Sequence, residues 1–379
     1  MDKLFADMNT HQIIMYILKH MGMLAIGGLL IYLAIKKEYE PMLLLPIGFS
    51  TILVNLPLSA VLEYEGMPGV LRILFDAGIA TELFPVLIFI AVGAMIDFTP
   101  LLANPKMLFF GAAAQFGIFA TTVIALLLGA DDLKVASAIG IIGAADGPTA
   151  IFVASKFAQK YLGPITVAAY SYMSLVPLVQ PPVIKLLTTK EERMIRMEYK
   201  DVYVPKSVKI LFPIFVTVIA GIIAPISVPL VGLLMFGNLI RESGVMERLS
   251  KAAQNELANI VTILLGITIG STMVAEDFWQ PTTLIIILGG LVAFIFDTAG
   301  GVLFAKFLNL FLKKKVNPMV GAAGISAFPM SARVIQKMAQ KEDPSNFILM
   351  HAVSANVAGQ LGSIIAGGMI LALVPLLAG

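Results

Sequence analysis

About ten apolar runs, most near 20 residues long, constrain this chain more than any other feature. They lie near 13–35, 41–62, 79–98, 106–129, 161–188, 205–223, 227–240, 256–274, 281–308 and 345–377. A stretch of about 20 apolar residues at 1.5 Å rise crosses the hydrocarbon core, so each is predicted to be a spanning helix. Only 13% of the chain is charged, against about 25% in soluble domains. That excludes a soluble enzyme, a disordered chain and a nucleic-acid binder, and a net charge of +2 offers a polyanion little. The absence of cysteine removes disulfides and thiolate chemistry. With His11, His20 and His351 as its only histidines, the chain has little material for a zinc site. Met1–Gln12 carries Asp2, Lys3 and Asp7, and the following run is too long for a signal core. The N-terminus is therefore expected to stay and span.

Two stretches depart from this pattern, about 133–157 and about 316–338, both apolar but rich in Gly, Pro and small residues. They resemble each other: Gly143–Lys160 aligns with Gly324–Lys341, matching Gly143/Gly324, Pro148/Pro329, Val153/Val334, Lys156/Lys337 and the Ala-Gln-Lys endings. The long polar break at 186–209 separates repeat 1 (1–185) from repeat 2 (210–379) and reads as a basic cytoplasmic linker. Internal duplication of this kind belongs to transporter folds that bind their cargo near the bilayer midplane. If both stretches re-enter rather than cross, fewer Lys and Arg fall outside. The expected architecture is an all-α polytopic membrane protein of two inverted repeats, with about ten transmembrane helices plus two broken re-entrant elements.

The chemistry is expected in the broken elements. Asp146 lies in Gly143–Thr149 (GAADGPT) within an apolar stretch, where a carboxylate costs several kcal/mol unless it meets a cation, a proton or water. Pro148 lacks a backbone N–H, so Gly147-Pro148 is expected to interrupt the helix and free carbonyls that line a cavity. One carboxylate, those carbonyls and the Thr149 hydroxyl suit a hard cation such as sodium. The second element offers neutral oxygens from Asn317, Ser326 and Ser331, and a fixed positive charge from Arg333. Arg333 suits an anionic carboxylate, or else simply snorkels to the interface. The following helices are polar inside as well, through Tyr170, Ser171, Tyr172 and Ser174 in one half and Ser354, Asn356, Gln360 and Ser363 in the other. Such small residues also serve plain helix packing. Asp297 is a second intramembrane carboxylate and a further candidate for a cation or proton.

Gly140–Phe152 (GIIGAADGPTAIF), Tyr170–Pro182, Lys185–Thr189 (KLLTT), Asn317–Arg333 and Asn356–Gly359 together resemble the integral-membrane beta subunit of sodium-pumping, biotin-dependent decarboxylases. The resemblance covers nearly the whole chain. It implies a subunit in a bacterial or archaeal cytoplasmic membrane that decarboxylates carboxybiotin from a partner, exports sodium and consumes a proton from outside. By resemblance, Asp146 matches the family's sodium-binding aspartate. Tyr172, Asn317, Gly321, Ser326 and Arg333 fall at positions used for ion and carboxybiotin handling, and Asn356 joins an ion site, with Thr149 and Ser171 as further oxygens. Implied partners are biotin-carrier and carboxyltransferase subunits, a small membrane-anchor subunit, and further copies of this chain. No Met-Lys-Met motif is present, so the biotin is expected on another subunit. A stand-alone sodium-coupled transporter of the same fold is the alternative.

Overall fold

The computed structural model describes residues 9–198 and 202–378. Met1–Met8, with the charges that decided the N-terminal reading, lie outside the described residues. The principal helices in chain order are α1 (Thr10–Lys37), α2 (Pro41–Asn55), α3 (Leu83–Met95), α4 (Pro105–Leu127), α5 (Leu133–Ala144), α6 (Gly147–Phe157), α7 (Gln159–Ser174) and α8 (Val176–Leu187). The second half contributes α9 (Lys206–Ile223), α10 (Pro225–Ser243), α11 (Glu247–Gly270), α12 (Pro281–Leu308), α13 (Met319–Ala322), α14 (Met330–Glu342) and α15 (Leu349–Ala378).

Seven of these, α1, α4, α9, α10, α11, α12 and α15, are long and apolar enough to cross a bilayer. Two bent pairs raise the number to nine among the described residues: Val70–Ile79 with α3 at 60°, and α7 with α8 at 68°. The run expected at 41–62 accounts for the difference from ten. Its helix stops at Asn55 because Pro57 disfavours a helical Leu56, which is extended at φ −69°, ψ 136°. The chain then turns through a short hairpin pairing Glu63–Tyr64 with Met67–Pro68.

Local chemistry fixes the helix ends. Asn9 and Gln12 form a reciprocal capping box at the start of α1, and Lys36 and Lys37 sit in its last turn, where the helix dipole favours cations. Asp132 caps α5 by accepting the Val135 N–H at 2.7 Å. A one-turn π-helix precedes the apolar helix in each half, at Phe75–Ile79 and at Ala253–Leu257.

α12 sets the placement of the broken elements. Beside the ends of element 1 (α5 and α6), Tyr161 donates to Asp131 at 2.6 Å, and Asp131 also accepts Thr282 from the first turn of α12 at 2.8 Å. The ends of element 2 (α13 and α14) meet the linker instead. Asn317 donates to the Arg193 and Ile195 carbonyls at 2.8 and 2.9 Å, and Arg193 pairs with Glu342 at 2.7 Å. That linker lies by the last turn of α12, where Lys306 pairs with Glu192 at 3.2 Å. The flanks of the two elements therefore sit at opposite ends of one 28-residue helix.

Candidate functional site

The break in element 1 falls two residues earlier than the Gly147-Pro148 expectation. Ala145 adopts a left-handed conformation (φ +52°), which costs an alanine roughly 1–2 kcal/mol, and Asp146 is extended. Pro148 then occupies the first turn of α6, where a missing N–H leaves nothing unsatisfied. The proline starts the second helix rather than breaking the first. Strain held at a buried acid marks a position that the surrounding packing over-determines.

Asp146 is the N-cap of α6 and is only 5% exposed. Its Oδ1 accepts the Thr149 N–H at 3.3 Å, and its Oδ2 accepts Thr149 Oγ1 at 2.7 Å and Ser363 Oγ from α15 at 2.6 Å. No Lys, Arg or His among the described residues pairs with it. The negative charge is thus held by neutral hydroxyls and one amide. A hydroxyl carries lone pairs as well as a proton, so Thr149 and Ser363 can turn from donating to the carboxylate to ligating a cation beside it. Among the described residues, no three His, Cys, Asp or Glu gather as a transition-metal site would need.

The two elements touch at this point. Ser326 N–H donates to the Ala144 carbonyl at 2.9 Å, and Ser326 Oγ donates to the Gly359 carbonyl at 2.8 Å. Gln360 donates to the Ser326 carbonyl, and Asn356 to the Ile325 carbonyl at 2.5 Å. Asn356 Oδ1 is buried without a hydrogen-bond partner, a neutral oxygen on the same polar face of α15 as Ser363. Asp146, Thr149, Ser326 and Asn356 are therefore drawn around one crossing.

The other sequence candidates lie elsewhere. Tyr172 donates its hydroxyl to the Ile287 carbonyl on α12, and half-buried Ser171 does not bond Asp146. Instead Tyr170 packs against Gly147, where any Cβ would run into its ring. Asn317 clamps the linker, its Oδ1 also accepting the Met319 N–H at 3.0 Å. Gly321 lies against Gly301 of α12, each backbone filling the space where the other's Cβ would stand. Asp297 is fully buried; its Oδ1 accepts the Ile118 N–H at 3.2 Å where α4 is interrupted, and its Oδ2 has no hydrogen-bond partner. Sequence reasoning passed over Tyr170 and Ser363 as site residues. The signal for Ser363 was present, since Asn356, Gln360 and Ser363 recur at four- and three-residue steps on one helix face.

Arg333 is exposed on α14 and lines a groove of about 360 Å³ with Pro177, Pro181, Lys185, Lys337 and Lys341. It forms no ion pair among the described residues, and nearby Glu342 is taken by Arg193. The structure thus holds a buried carboxylate at the element crossing and a separate cationic groove on the linker side.

A multi-pass helical protein of the cytoplasmic membrane, with broken elements meeting at a buried acid, defines the class of ion-handling membrane proteins. The profile of the Na+-transporting oxaloacetate decarboxylase beta subunit matches residues 19–374. The chain is 53% identical to the glutaconyl-CoA decarboxylase subunit beta of Acidaminococcus fermentans, covering 93% of this chain and 92% of the relative. It is 48% identical to the methylmalonyl-CoA decarboxylase subunit beta of Propionigenium modestum, over 93% and 94% of the two chains. Against the oxaloacetate decarboxylase beta chain 2 of Salmonella typhi it is 46% identical, over 93% and 96%. The chain belongs to the family of beta subunits of sodium-transporting decarboxylases. It is a membrane subunit of a decarboxylase complex in which decarboxylation is coupled to sodium transport.

Proposed function

We propose that this subunit removes the carboxyl group from carboxybiotin presented by a partner's carrier domain, and uses that step to move sodium outward through the Asp146 site. The single observation that carries the reading is the buried Asp146 carboxylate, held by Thr149 and Ser363 with no ion pair to a Lys, Arg or His among the described residues, at the crossing of the two elements. Sodium is the cargo. Asp146, Thr149, Ser363, Ser326 and Asn356 supply its oxygens, with Ser171 further out, while Asn317 serves the path only indirectly by fixing the end of element 2 to the linker.

In the chemical step the N–CO2 bond of carboxybiotin breaks, CO2 leaves, and the electron pair on the ureido nitrogen takes a proton. Arg333 holds the carboxylate through its planar fork. A proton arriving from outside competes with sodium for the Asp146 oxygens, so proton entry and sodium release are two sides of one exchange. Tyr172 is the second group able to give a proton, and Gly321 keeps element 2 tight against α12. A cargo moves the equilibrium between inward- and outward-facing forms only by its differential affinity for them. The crossing of the elements gives sodium contacts that change as they separate.

The repeat architecture follows the same reading. Repeats 1–185 and 210–379, joined by the linker at 186–209, are inverted copies, each contributing one re-entrant element. Three features support this: the matching π-helical turns, the contact between Ala144 and Ser326 at near-equivalent positions, and element flanks at opposite ends of α12. The partners are the biotin-carrier and carboxyltransferase subunits, a small membrane anchor and further copies of this chain. The carboxyltransferase selects the donor acid.

Asp146→Asn tests the proposal. The amide keeps the side chain's shape and its acceptor for Thr149 but loses the charge, so sodium-stimulated decarboxylation by the assembled complex should vanish. Sodium-dependent turnover at the wild-type rate in that variant would remove Asp146 from the ion path.

A further inference from the structure

The cationic face of α14 extends beyond what one carboxylate needs. A single guanidinium can bind a carboxylate with both of its oxygens. Yet Lys337 and Lys341 continue the face past Arg333 at four-residue spacing, and Lys185 of α8 lines the same groove. All four cations are exposed, and none forms an ion pair among the described residues. Several cations at this end of the molecule are matched, Arg193 with Glu342, Arg196 with Asp343, Lys306 with Glu192 and Lys314 with Glu198, whereas Lys190, Lys313 and Lys315 form no ion pair among the described residues either. What sets the four apart is that they line one groove. Like charges four residues apart on a helix repel, and Glu342, the acid that lines the groove, is hydrogen-bonded to Arg193, so the row is only weakly offset within the chain.

We propose that Lys185, Lys337 and Lys341 form a docking rail for an acidic face of the soluble carrier domain, steering its carboxylated group toward Arg333. The inference rests on the carboxybiotin reading above. Charge complementarity commits the rail to an anionic partner, and an apolar floor of Pro177, Pro181 and Met338 gives a protein surface something to close upon. A carrier fits better than lipid headgroups because the row lines a groove with an apolar floor, and α14 is not one of the long apolar helices. Charges of one sign around a cleft raise encounter rates by about 10- to 1,000-fold and lose that effect in salt.

The test uses the complete complex in detergent, with separately carboxylated carrier protein added in trans. Lys337→Glu/Lys341→Glu should raise the carrier concentration for half-maximal CO2 release by at least about tenfold while leaving the saturated rate unchanged. It should also abolish the weakening by salt that the rail predicts for the wild type. Sodium-dependent thermal stabilisation reports that the variant is folded; should it fail to assemble, Lys337→Gln/Lys341→Gln reads the same quantity with a smaller rise. Unchanged half-saturation and salt dependence overturn the rail. A shift that appears only in anionic-lipid vesicles assigns the row to headgroups and overturns it as well. Failure of the wild type itself to release CO2 from the carrier in sodium counts against the carboxybiotin reading instead.

Discussion

Ser363 Oγ donates a 2.6 Å hydrogen bond to Asp146 Oδ2 across 217 positions of sequence. The bond ties the long C-terminal helix α15 to the break of element 1, and Gln360 and Asn356 tie the same helix face to element 2. α15 is thus the common wall of the crossing.

Ser363→Ala removes one donor and prospective ligand while Thr149 remains. A hydrogen bond to a charged group is worth about 1.5–3 kcal/mol, so sodium affinity should fall by roughly ten- to a hundredfold. The sodium dependence of thermal stabilisation reads this directly. Cysteine, with a bulkier and softer atom, should not restore it. A wild-type half-saturation for sodium in the alanine variant would make the bond structural only.

The elements were largely legible in the sequence, and the pairing of their side chains was not. Long apolar runs mark the spans because hydrophobic thickness acts locally, and Gly147-Pro148 marks the start of α6 rather than the break, which falls at Ala145. Tyr170 and Tyr172 show where this ends. Two positions apart on a helix of 3.6 residues per turn, they face nearly opposite sides, and Tyr170, Ser171, Tyr172 and Ser174 spread polar groups over several sides, so no single stripe says which side faces the site. Tyr170 faces Gly147 beside Asp146, and Tyr172 faces α12. Asn317 illustrates the same limit, since the carbonyls it clamps belong to an irregular linker without periodicity. For Ser363 the sequence leaves a polar inner face and plain helix packing both open, because Gly and Ser in membrane helices often serve packing alone.

The linker clamp should be acid-sensitive in a defined window. The hydrogen bond from Arg193 first, then the charges of Arg193, Lys190 and Lys185, hold the Glu342 carboxyl below its usual range. Ser345 and Arg196 do the same for Asp343. Folded values below the unfolded ones mean that the clamp contributes fully above the ordinary carboxylate range, about pH 4–4.5, and is lost as pH falls through the depressed values. Hydrogen-exchange protection in residues 188–198, relative to the intrinsic rate at each pH, should be level from neutral pH down to about pH 5 and fall below about pH 4. Glu342→Gln should bring that loss of protection to neutral pH. A release already complete near pH 6 would mean that a group other than these carboxyls holds the linker.

Oppositely inserted elements make a topological prediction that a chain without cysteine can test cleanly. A cysteine at Lys160, beside the flank of element 1, should react with an impermeant maleimide from outside. One at Lys341, near the end of α14, should react only from the cytoplasm. Reaction of both from one face would put both elements through the same side and end the inverted-repeat proposal.

Arg333→Lys separates a carboxylate-gripping guanidinium from a cation that only keeps its tip in water. The residue is exposed in the groove and forms no ion pair among the described residues, so the substitution leaves no partner stranded and should not perturb folding. Lysine keeps the charge but loses the planar fork that matches a carboxylate with two parallel bonds. Losing one charge-assisted hydrogen bond in the transition state, about 1.5–3 kcal/mol, should slow decarboxylation by roughly ten- to a hundredfold. Sodium binding, read by thermal stabilisation, should be unchanged, because Arg333 does not bond Asp146, Thr149 or Ser363. A solvated tip needs only a long stem and a positive end, and lysine supplies both. Near-wild-type turnover in the lysine variant would therefore take Arg333 out of the chemistry and leave the groove's lysines as the remaining anion-binding groups.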